Sequence, residues 1–134
     1  MMNILFIEDD LIETMKLRRT ISKLDSKYNI TETKNGEEAI QYLESGKIIP
    51  DIILLDLNMP RMSGIEFLGI LKNHATLKYL PTIVLTTSEN RADLLECYKI
   101  GIAGYVIKPL KYEDYEDKIK KVLQYWKINE LIKG

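Results

Sequence analysis

The segment most informative about the fold is Asp51-Ile-Ile-Leu-Leu-Asp-Leu-Asn-Met-Pro-Arg-Met-Ser-Gly64. Its four consecutive apolar residues predict a strand buried on both faces, as in a parallel sheet covered by helices. The run ends on the carboxylate of Asp56, and Pro60, which lacks an N–H, cannot continue a central strand. Ser63 and Glu66 are spaced as a capping box that opens a helix. Asp56 is therefore expected at the carboxyl end of the sheet, where open α/β sheets bind their ligands.

Length and composition indicate a single globular domain, residues 1–134. Of these 134 residues, 46% are hydrophobic and 29% are charged, which is enough for one sizeable core and too apolar for a disordered chain. The net charge of −1, without blocks of basic residues, argues against a nucleic acid or an anionic membrane as partner. No segment approaches a transmembrane span, and the lone Cys97 excludes a disulfide framework. A cytoplasmic protein is expected, with Cys97 as a small packing or surface residue.

Strands and helices alternate along the chain. Strands are predicted at 4–7, 28–33, 52–55, 80–86 and 105–107, and helices at about 11–23, 37–44, 63–74, 91–100 and 112–132. This strict alternation predicts a doubly wound five-stranded parallel sheet with helices on both faces. The second strand is more polar and is expected near an edge. Apolar stripes are predicted on the first helix (Ile12, Met15, Leu17, Ile21 and Leu24) and on the last (Tyr115, Ile119, Val122, Leu123 and Trp126).

Polar side chains stand where the strands end. Glu8 and Asp9 follow the first strand, Asp56 the third and Lys108 the fifth, and Thr86 closes the fourth. Because the carboxyl ends of parallel strands share one edge, these side chains are expected to lie together. Taken alone, each has an ordinary explanation, such as turn hydrogen bonds for Asp56 or solvent exposure for Lys108. Their coincidence at one edge favours a functional site.

Three carboxylates at one edge repel one another unless a cation neutralises them. Oxygen ligands with room for water suit Mg²⁺. A carboxylate beside such a metal and beside Lys108 is a competent nucleophile toward a phosphoryl group, and the Thr86 hydroxyl would donate to one of its oxygens. Asp10 is expected instead to cap the first helix, with Glu13 reaching back to complete a capping box.

Four motifs, in order, resemble the receiver domains of two-component response regulators. They are Phe6-Ile-Glu-Asp-Asp10, Leu54-Leu-Asp-Leu-Asn-Met-Pro60, Leu85-Thr86 and Gly104-Tyr-Val-Ile-Lys-Pro109. The resemblance covers nearly the whole chain and implies the flavodoxin-like (βα)5 fold with strand order 2-1-3-4-5. The Leu85-Thr-Thr-Ser88 loop and the Tyr125-Trp126 ending are similar to stand-alone regulators that partner phytochrome-type kinases.

The resemblance also implies roles for the residues at the edge. Asp56 would be the phospho-acceptor. Mg²⁺ or Mn²⁺ would be held by Asp9, Asp56 and the backbone carbonyl of Asn58, with Glu8 acting through a water molecule. Phosphorylation and dephosphorylation would be self-catalysed, so the chain would not be an enzyme that turns over a separate substrate.

A switch is implied beside the phospho-acceptor. Thr86 would supply the switch hydroxyl and Tyr105 the switch aromatic, which is expected to turn from solvent toward Thr86. Lys108 would act on the phosphoryl group, next to a cis Lys108–Pro109 peptide bond.

The implied partners belong to a two-component phosphorelay. The phosphoryl donor would be the phosphohistidine of a sensor histidine kinase or of a histidine phosphotransfer protein. No output domain is expected after the last helix, so a downstream protein or a second copy of the chain would recognise the phosphorylated state. The expected surface comprises the fourth helix, fifth strand and fifth helix, including Tyr98 and the face around Lys111.

Three alternatives share parts of this pattern. A flavodoxin-like FMN carrier needs a hydroxyl- and glycine-rich phosphate loop after the first strand, where this chain has Glu8-Asp-Asp10. A phosphatase of the haloacid dehalogenase type needs a second aspartate two residues after its nucleophile, where this chain has Asn58, which cannot act as a general acid. A degenerate receiver that only binds other proteins remains open.

Overall fold

Strands and helices alternate in the computed structural model, which describes residues 1–25, 27–59 and 61–132. The strands are β1 (Met2–Ile7), β2 (Tyr28–Thr33), β3 (Ile52–Leu55), β4 (Thr82–Thr86) and β5 (Gly104–Ile107). The helices are α1 (Leu11–Ser22), α2 (Gly36–Ser45), α3 (Gly64–Lys72), α4 (Arg91–Ile100) and α5 (Tyr112–Lys127), and a short 3-10 helix (Leu77–Tyr79) precedes β4. The predicted strand-ending role of Pro60 lies outside the described residues.

The sheet is parallel throughout, with strands in the order β2-β1-β3-β4-β5. The predicted order and doubly wound architecture are therefore confirmed. Ile7 on β1 pairs with Leu55 on β3, and Leu55 pairs with Val84, so β4 ends two residues further along, where Thr86 pairs with Ile107 on β5. The half-exposed β2 lies at one edge of the sheet, as its polar sequence predicts. No helix within the described ranges is long and apolar enough to cross a bilayer.

Two apolar clusters cover the two faces of the sheet. The first joins alternate strand residues such as Ile53 to α2, α3 and α4, and its largest buried side chain is Phe67. The second joins the intervening strand residues such as Ile52 to α1 and α5, and centres on Tyr115. Because β3 contributes to both clusters, all four of its residues are apolar and buried. Each such side chain stabilises the fold by about 1.5–3 kcal/mol.

Polar side chains cap the helices as the sequence predicts. Asp10, Asn35 and Ser63 accept hydrogen bonds from the first-turn amides of α1, α2 and α3. The predicted capping box of α3 is complete, since Ser63 Oγ accepts from the Glu66 amide at 3.2 Å and Glu66 Oε1 from the Ser63 amide at 3.3 Å. These caps fix the points at which the chain leaves the carboxyl edge of the sheet.

The predicted apolar stripe of α1 is only partly correct. Leu17 is buried and Ile21 and Leu24 pack against the second cluster, but Ile12 and Met15 are 70% and 55% exposed. The buried side of α1 runs instead through Thr14, Leu17 and Thr20, at helical spacing. Ile12 and Met15 therefore lie on the opposite, solvent-facing side.

The last helix is shorter than predicted, ending at Lys127 rather than near residue 132. The amide side chain of Asn129 donates to the Tyr125 carbonyl at 2.6 Å, and its backbone N–H donates to the Trp126 carbonyl at 3.2 Å. These bonds satisfy the last helical carbonyls and compete with a further turn. The predicted inner stripe is present, with Tyr115, Ile119 and Leu123 buried and Val122 and Trp126 partly buried.

Candidate phosphoryl and metal site

Two buried carboxylates lie side by side at the carboxyl edge of the sheet. The ladder continues one residue beyond β3, because the Asp56 amide donates to the Ile7 carbonyl at 3.0 Å. This pairing sets Asp56 next to Glu8, and both side chains are buried, whereas Asp9 is exposed. Carboxylate oxygens of Glu8, Asp9 and Asp56 all lie within 4.8 Å of one another. The structure therefore brings the three predicted acids together.

The electrostatics of this group disfavour its fully ionised form. Burial raises the pKa of Glu8 above its ordinary value, although a hydrogen bond from Lys108 and the charge of Lys108 oppose the shift. Burial likewise raises the pKa of Asp56, and the charge of Lys108 and the nearby Glu8 side chain and Asn58 amide oppose that shift. An additional cation would reverse both shifts by stabilising the charged carboxylates. The set of hard oxygen donors thus fits a divalent metal ion.

Lys108 spans the edge from the end of β5 to the acids. Its amide donates to the Thr86 carbonyl at 2.8 Å, and its Nζ lies 2.8 Å from Glu8 Oε1. The side chain is only 5% exposed, so it is not a solvated lysine. Burial lowers its pKa, but the bond to Glu8 and the charges of Glu8, Asp56 and Glu13 more than offset burial, so the pKa is raised. Lys108 is therefore a fixed ammonium beside the acids.

The peptide bond between Lys108 and Pro109 is trans, so the expected cis bond is wrong. For a bond preceding proline, the trans isomer is favoured by about 0.5–1 kcal/mol unless the surroundings demand the other. Here the trans bond is compatible with the hydrogen bond from the Lys108 amide to Thr86.

The loop after β4 links Thr86 to Tyr105. Thr86 is fully buried, and its hydroxyl oxygen accepts from the Ser88 amide at 3.2 Å. The Tyr105 hydroxyl donates to the Ser88 carbonyl at 3.0 Å, and the ring packs against the first cluster. Tyr105 is thus half-buried rather than facing solvent as expected, because packing and this bond both hold it inward. Ser88 also donates its hydroxyl to Asp93 on α4 at 2.8 Å.

Sequence reasoning missed the contacts that Ser88 and Glu13 make around the site. For Ser88, the spacing of two residues after Thr86 is a local signal, because hydroxyls at that separation form turns. For Glu13, the predicted bond back to the Asp10 amide is not made, since Glu8 Oε2 accepts from that amide at 3.3 Å. Glu13 Oε1 lies instead 3.2 Å from Lys108 Nζ. Asp10 does cap α1, accepting from the Ile12 amide at 2.8 Å.

The connection between β3 and α3 packs closely against the backbone around Asp56. The Asn58 amide lies close enough to the Asp56 carboxylate to oppose the rise of its pKa, while the Asn58 side chain is exposed. The Gly64 amide donates to the Leu57 carbonyl at 3.0 Å, so the first turn of α3 lies against the backbone that follows β3. A Cβ at Gly64 would lie 2.6 Å from the Asp56 carbonyl oxygen, which leaves no room for a side chain.

Two other reactive residue types have structural roles. Cys97 is buried in α4, and burial raises the pKa of its thiol to about 11. His74 Nδ1 accepts from the Thr76 and Leu77 amides, each at 3.2 Å, at the start of the 3-10 helix.

The doubly wound sheet with acids and a buried lysine at its carboxyl edge defines a flavodoxin-like protein with a candidate phosphoryl site. The chain belongs to the family of response regulator receiver domains, whose family model matches residues 4–120. Such domains are parts of two-component signalling and are not enzymes that turn over a separate substrate. The resemblance found in the sequence is therefore confirmed.

Similar proteins support the same assignment. The chain is 34% identical over 126 residues to the chemotaxis protein CheY of Pseudomonas aeruginosa, covering 92% of this chain and 97% of CheY. The structure matches that of the phosphorylated cyanobacterial phytochrome response regulator RcpA with a TM-score of 0.93 and 27% identity, over 98% and 99% of the two chains. It matches the Mn²⁺-bound form of response regulator Rcp1 with a TM-score of 0.91 and 25% identity, over 99% and 100%.

Proposed function

We propose that the protein accepts a phosphoryl group on Asp56 and transmits that event as a response regulator of a two-component phosphorelay. The observation that carries the proposal is the buried Asp56 carboxylate within 4.8 Å of two further acids, at the edge where the Lys108 ammonium is fixed. A buried carboxylate held between acids and a cation is unusual for a purely structural aspartate.

Asp56 is the nucleophile in this proposal. One carboxylate oxygen attacks the phosphorus of a phosphohistidine, a new O–P bond forms, and the N–P bond breaks with its electron pair returning to the imidazole. Lys108 moves its hydrogen bonds from carboxylates to an oxygen of the phosphoryl group, where it stabilises charge. The Thr86 hydroxyl donates to a second oxygen. Burial of Asp56 keeps these interactions strong because water is excluded.

Asp9, Asp56 and the carbonyl of Asn58 would hold Mg²⁺ (or Mn²⁺), with Glu8 acting through a water molecule. The cluster of three acids supports this assignment, and so does the similarity to a Mn²⁺-bound regulator. When bound, the metal neutralises the acids and the incoming phosphoryl oxygens.

The phosphoryl signal would leave the site through the loop after β4. Thr86 and Tyr105 are both hydrogen-bonded to the backbone of Ser88. A displacement of Thr86 toward a phosphoryl oxygen would therefore move Ser88 and change the hydrogen bond that holds the Tyr105 ring. The affected surface is made by α4, β5 and α5, including the exposed Tyr98 and Lys111. A separate downstream protein or a second copy of the chain would recognise it. The donor would be a histidine kinase or a histidine phosphotransfer protein, in the cytoplasm.

The test is intact-mass measurement after treatment with acetyl phosphate. We expect one added phosphoryl group in the presence of Mg²⁺ or Mn²⁺ and none in EDTA, because the acids tolerate the phosphoryl anion only around a cation. No addition with either metal would contradict the proposal and would favour the degenerate receiver that only binds proteins. Equal labelling with and without metal would contradict the metal assignment.

A further inference from the structure

A carboxylate outside the acid cluster shares the Lys108 ammonium. Glu13 Oε1, from the first turns of α1, lies 3.2 Å from Lys108 Nζ, while Glu8 Oε1 lies at 2.8 Å. The Glu13 side chain is 17% exposed, so this pair is mostly shielded from water. A lysine ammonium has three donors on a flexible four-carbon stem. Glu8 accepts a hydrogen bond from this ammonium and Glu13 adds a second negative charge beside it, which leaves a donor for another acceptor.

Glu13 is itself held by a second cation. Its Oε2 lies 3.0 Å from Lys16 Nζ, which stands 4.5 Å from the ring centroid of Tyr115. Tyr115 is buried between α1 and α5 in the second cluster. Each oxygen of Glu13 therefore contacts a different lysine, and one of these lysines rests on a fixed aromatic ring. This arrangement orients the carboxylate before any ligand arrives.

We propose that Glu13 is a positioning residue for Lys108. It touches none of the reacting atoms, but it holds the ammonium at the rim of the acid cluster with one donor free for a phosphoryl oxygen. This role rests on the proposed function of Asp56. Without Glu13, the stem would be restrained by Glu8 alone, and part of the preorganisation that speeds phosphoryl transfer would be lost.

The test compares the wild type with Glu13→Gln, which keeps the shape and removes the charge. We expect the rate of phosphorylation by acetyl phosphate at saturating Mg²⁺ to fall about 3- to 10-fold, because one of the two carboxylates that restrain the ammonium loses its charge while Glu8 keeps its hydrogen bond. We also expect the ¹H–¹⁵N signal of the Lys108 ammonium, assigned by its absence in Lys108→Ala, to weaken through faster proton exchange.

The matched control is Glu116→Gln. Glu116 on α5 pairs with Lys23 at 2.9 Å, so this variant makes the same change of charge without touching Lys108. We expect wild-type rate and wild-type ammonium signal in the control. An equal fall in rate in both variants would overturn the inference, since net charge would then be the cause.

The outcomes separate this inference from the proposed function. Absence of phosphorylation in the wild type contradicts the function of Asp56, and the Lys108 ammonium signal still reports whether Glu13 positions Lys108. A phosphorylated wild type with an unchanged rate in Glu13→Gln overturns the positioning role alone. A slower rate of phosphorylation in Glu13→Gln with an unchanged Lys108 ammonium signal also overturns the positioning role. In that case the ammonium would be held as firmly without the Glu13 charge as with it.

Discussion

Two aspartates of this chain show how position decides what a carboxylate does. Asp10 is exposed, and its side chain accepts hydrogen bonds from the amides of Ile12 and Glu13 as the N-cap of α1. Asp56 is buried at the end of β3, and burial raises its pKa. A capping carboxylate is stabilised by the amides it accepts from, whereas a buried one among acids is poised to bind a cation.

Replacing Lys108 with alanine tests whether its ammonium acts in phosphorylation or only in folding. Lys108→Ala should remain folded, because Glu8, whose pKa is already raised by burial, can take up a proton when its cation is removed. It should bind Mg²⁺ at least as well as the wild type, since a competing charge is gone. Phosphorylation by acetyl phosphate should fall about 10²- to 10³-fold, the usual effect of removing one group that stabilises transition-state charge.

Circular dichroism and intact mass check this expectation. Lys118→Ala is the matched control, because Lys118 Nζ donates to the Ile107 carbonyl at 2.9 Å, next to Lys108, without reaching the acids. Its phosphorylation rate should equal that of the wild type. An unfolded Lys108→Ala variant would show that the lysine is structural instead.

The grouping of the site residues could be predicted from sequence, but their side-chain partners could not. Strand alternation places Glu8, Asp56 and Lys108 at one edge whatever their contacts. Glu13 had two possible partners, the Asp10 amide and Lys108, and local spacing favours the first. In the fold, Glu8 Oε2 accepts from the Asp10 amide, and Glu13 lies beside the buried Lys108 ammonium instead. Such a competition is settled only by tertiary packing.

At the scale of elements, the junction of β3 and α3 determines the position of Asp56. A Cβ at Gly64 would lie 2.6 Å from the Asp56 carbonyl oxygen and 2.7 Å from the Leu57 Cα, and neither backbone atom can swing away. Gly64→Ala should therefore push α3 off the strand end and destabilise the protein by about 1–3 kcal/mol. Urea unfolding measures this change, and slower phosphorylation should accompany it.

Gly69→Ala is the matched control in the same helix. A Cβ there meets no atom within 4 Å, so the substitution should stabilise the protein by up to about 1 kcal/mol through helix propensity. Equal unfolding free energies for the two variants would mean that the close approach at Gly64 does not constrain the loop.

The elements that differ from the sequence prediction differ for local reasons. The pattern of α1 contains enough apolar residues for two stripes, and only docking decides that Thr14, Leu17 and Thr20 face inward. The end of α5 depends on one side chain, because Asn129 bonds back to Tyr125. Buried β3, by contrast, was predictable because four consecutive apolar residues between polar flanks are typical of a strand covered on both faces.

At the scale of the whole molecule, two apolar clusters hold the sheet rigid while the loops at its carboxyl edge carry the polar groups. In the proposed function, a signal that starts at Asp56 would pass through the loop after β4. The bonds from Ser88 to Thr86, Tyr105 and Asp93 provide a continuous connection to α4. Because a ligand shifts an equilibrium only by its differential affinity, a partial change of population is expected.

Amide NMR with a beryllofluoride phosphoryl mimic tests this connection. Chemical-shift changes should extend beyond the loops around Asp56 to α4, β5 and α5, including Tyr98. They should be blunted in Thr86→Ala, which lacks the hydroxyl, and in Tyr105→Phe, which loses the bond to Ser88. Changes confined to the loops around Asp56 would show that a partner recognises the site directly.

The most direct test of the central claim, that Asp56 is the phospho-acceptor, is intact-mass measurement of Asp56→Asn and Asp10→Asn after acetyl phosphate and Mg²⁺. Asparagine caps helices as well as aspartate does, so Asp10→Asn should fold normally and gain one phosphoryl group. Asp56→Asn should gain none, because an amide oxygen is not a competent nucleophile here. Undiminished phosphorylation of Asp56→Asn would show that another residue is the phospho-acceptor.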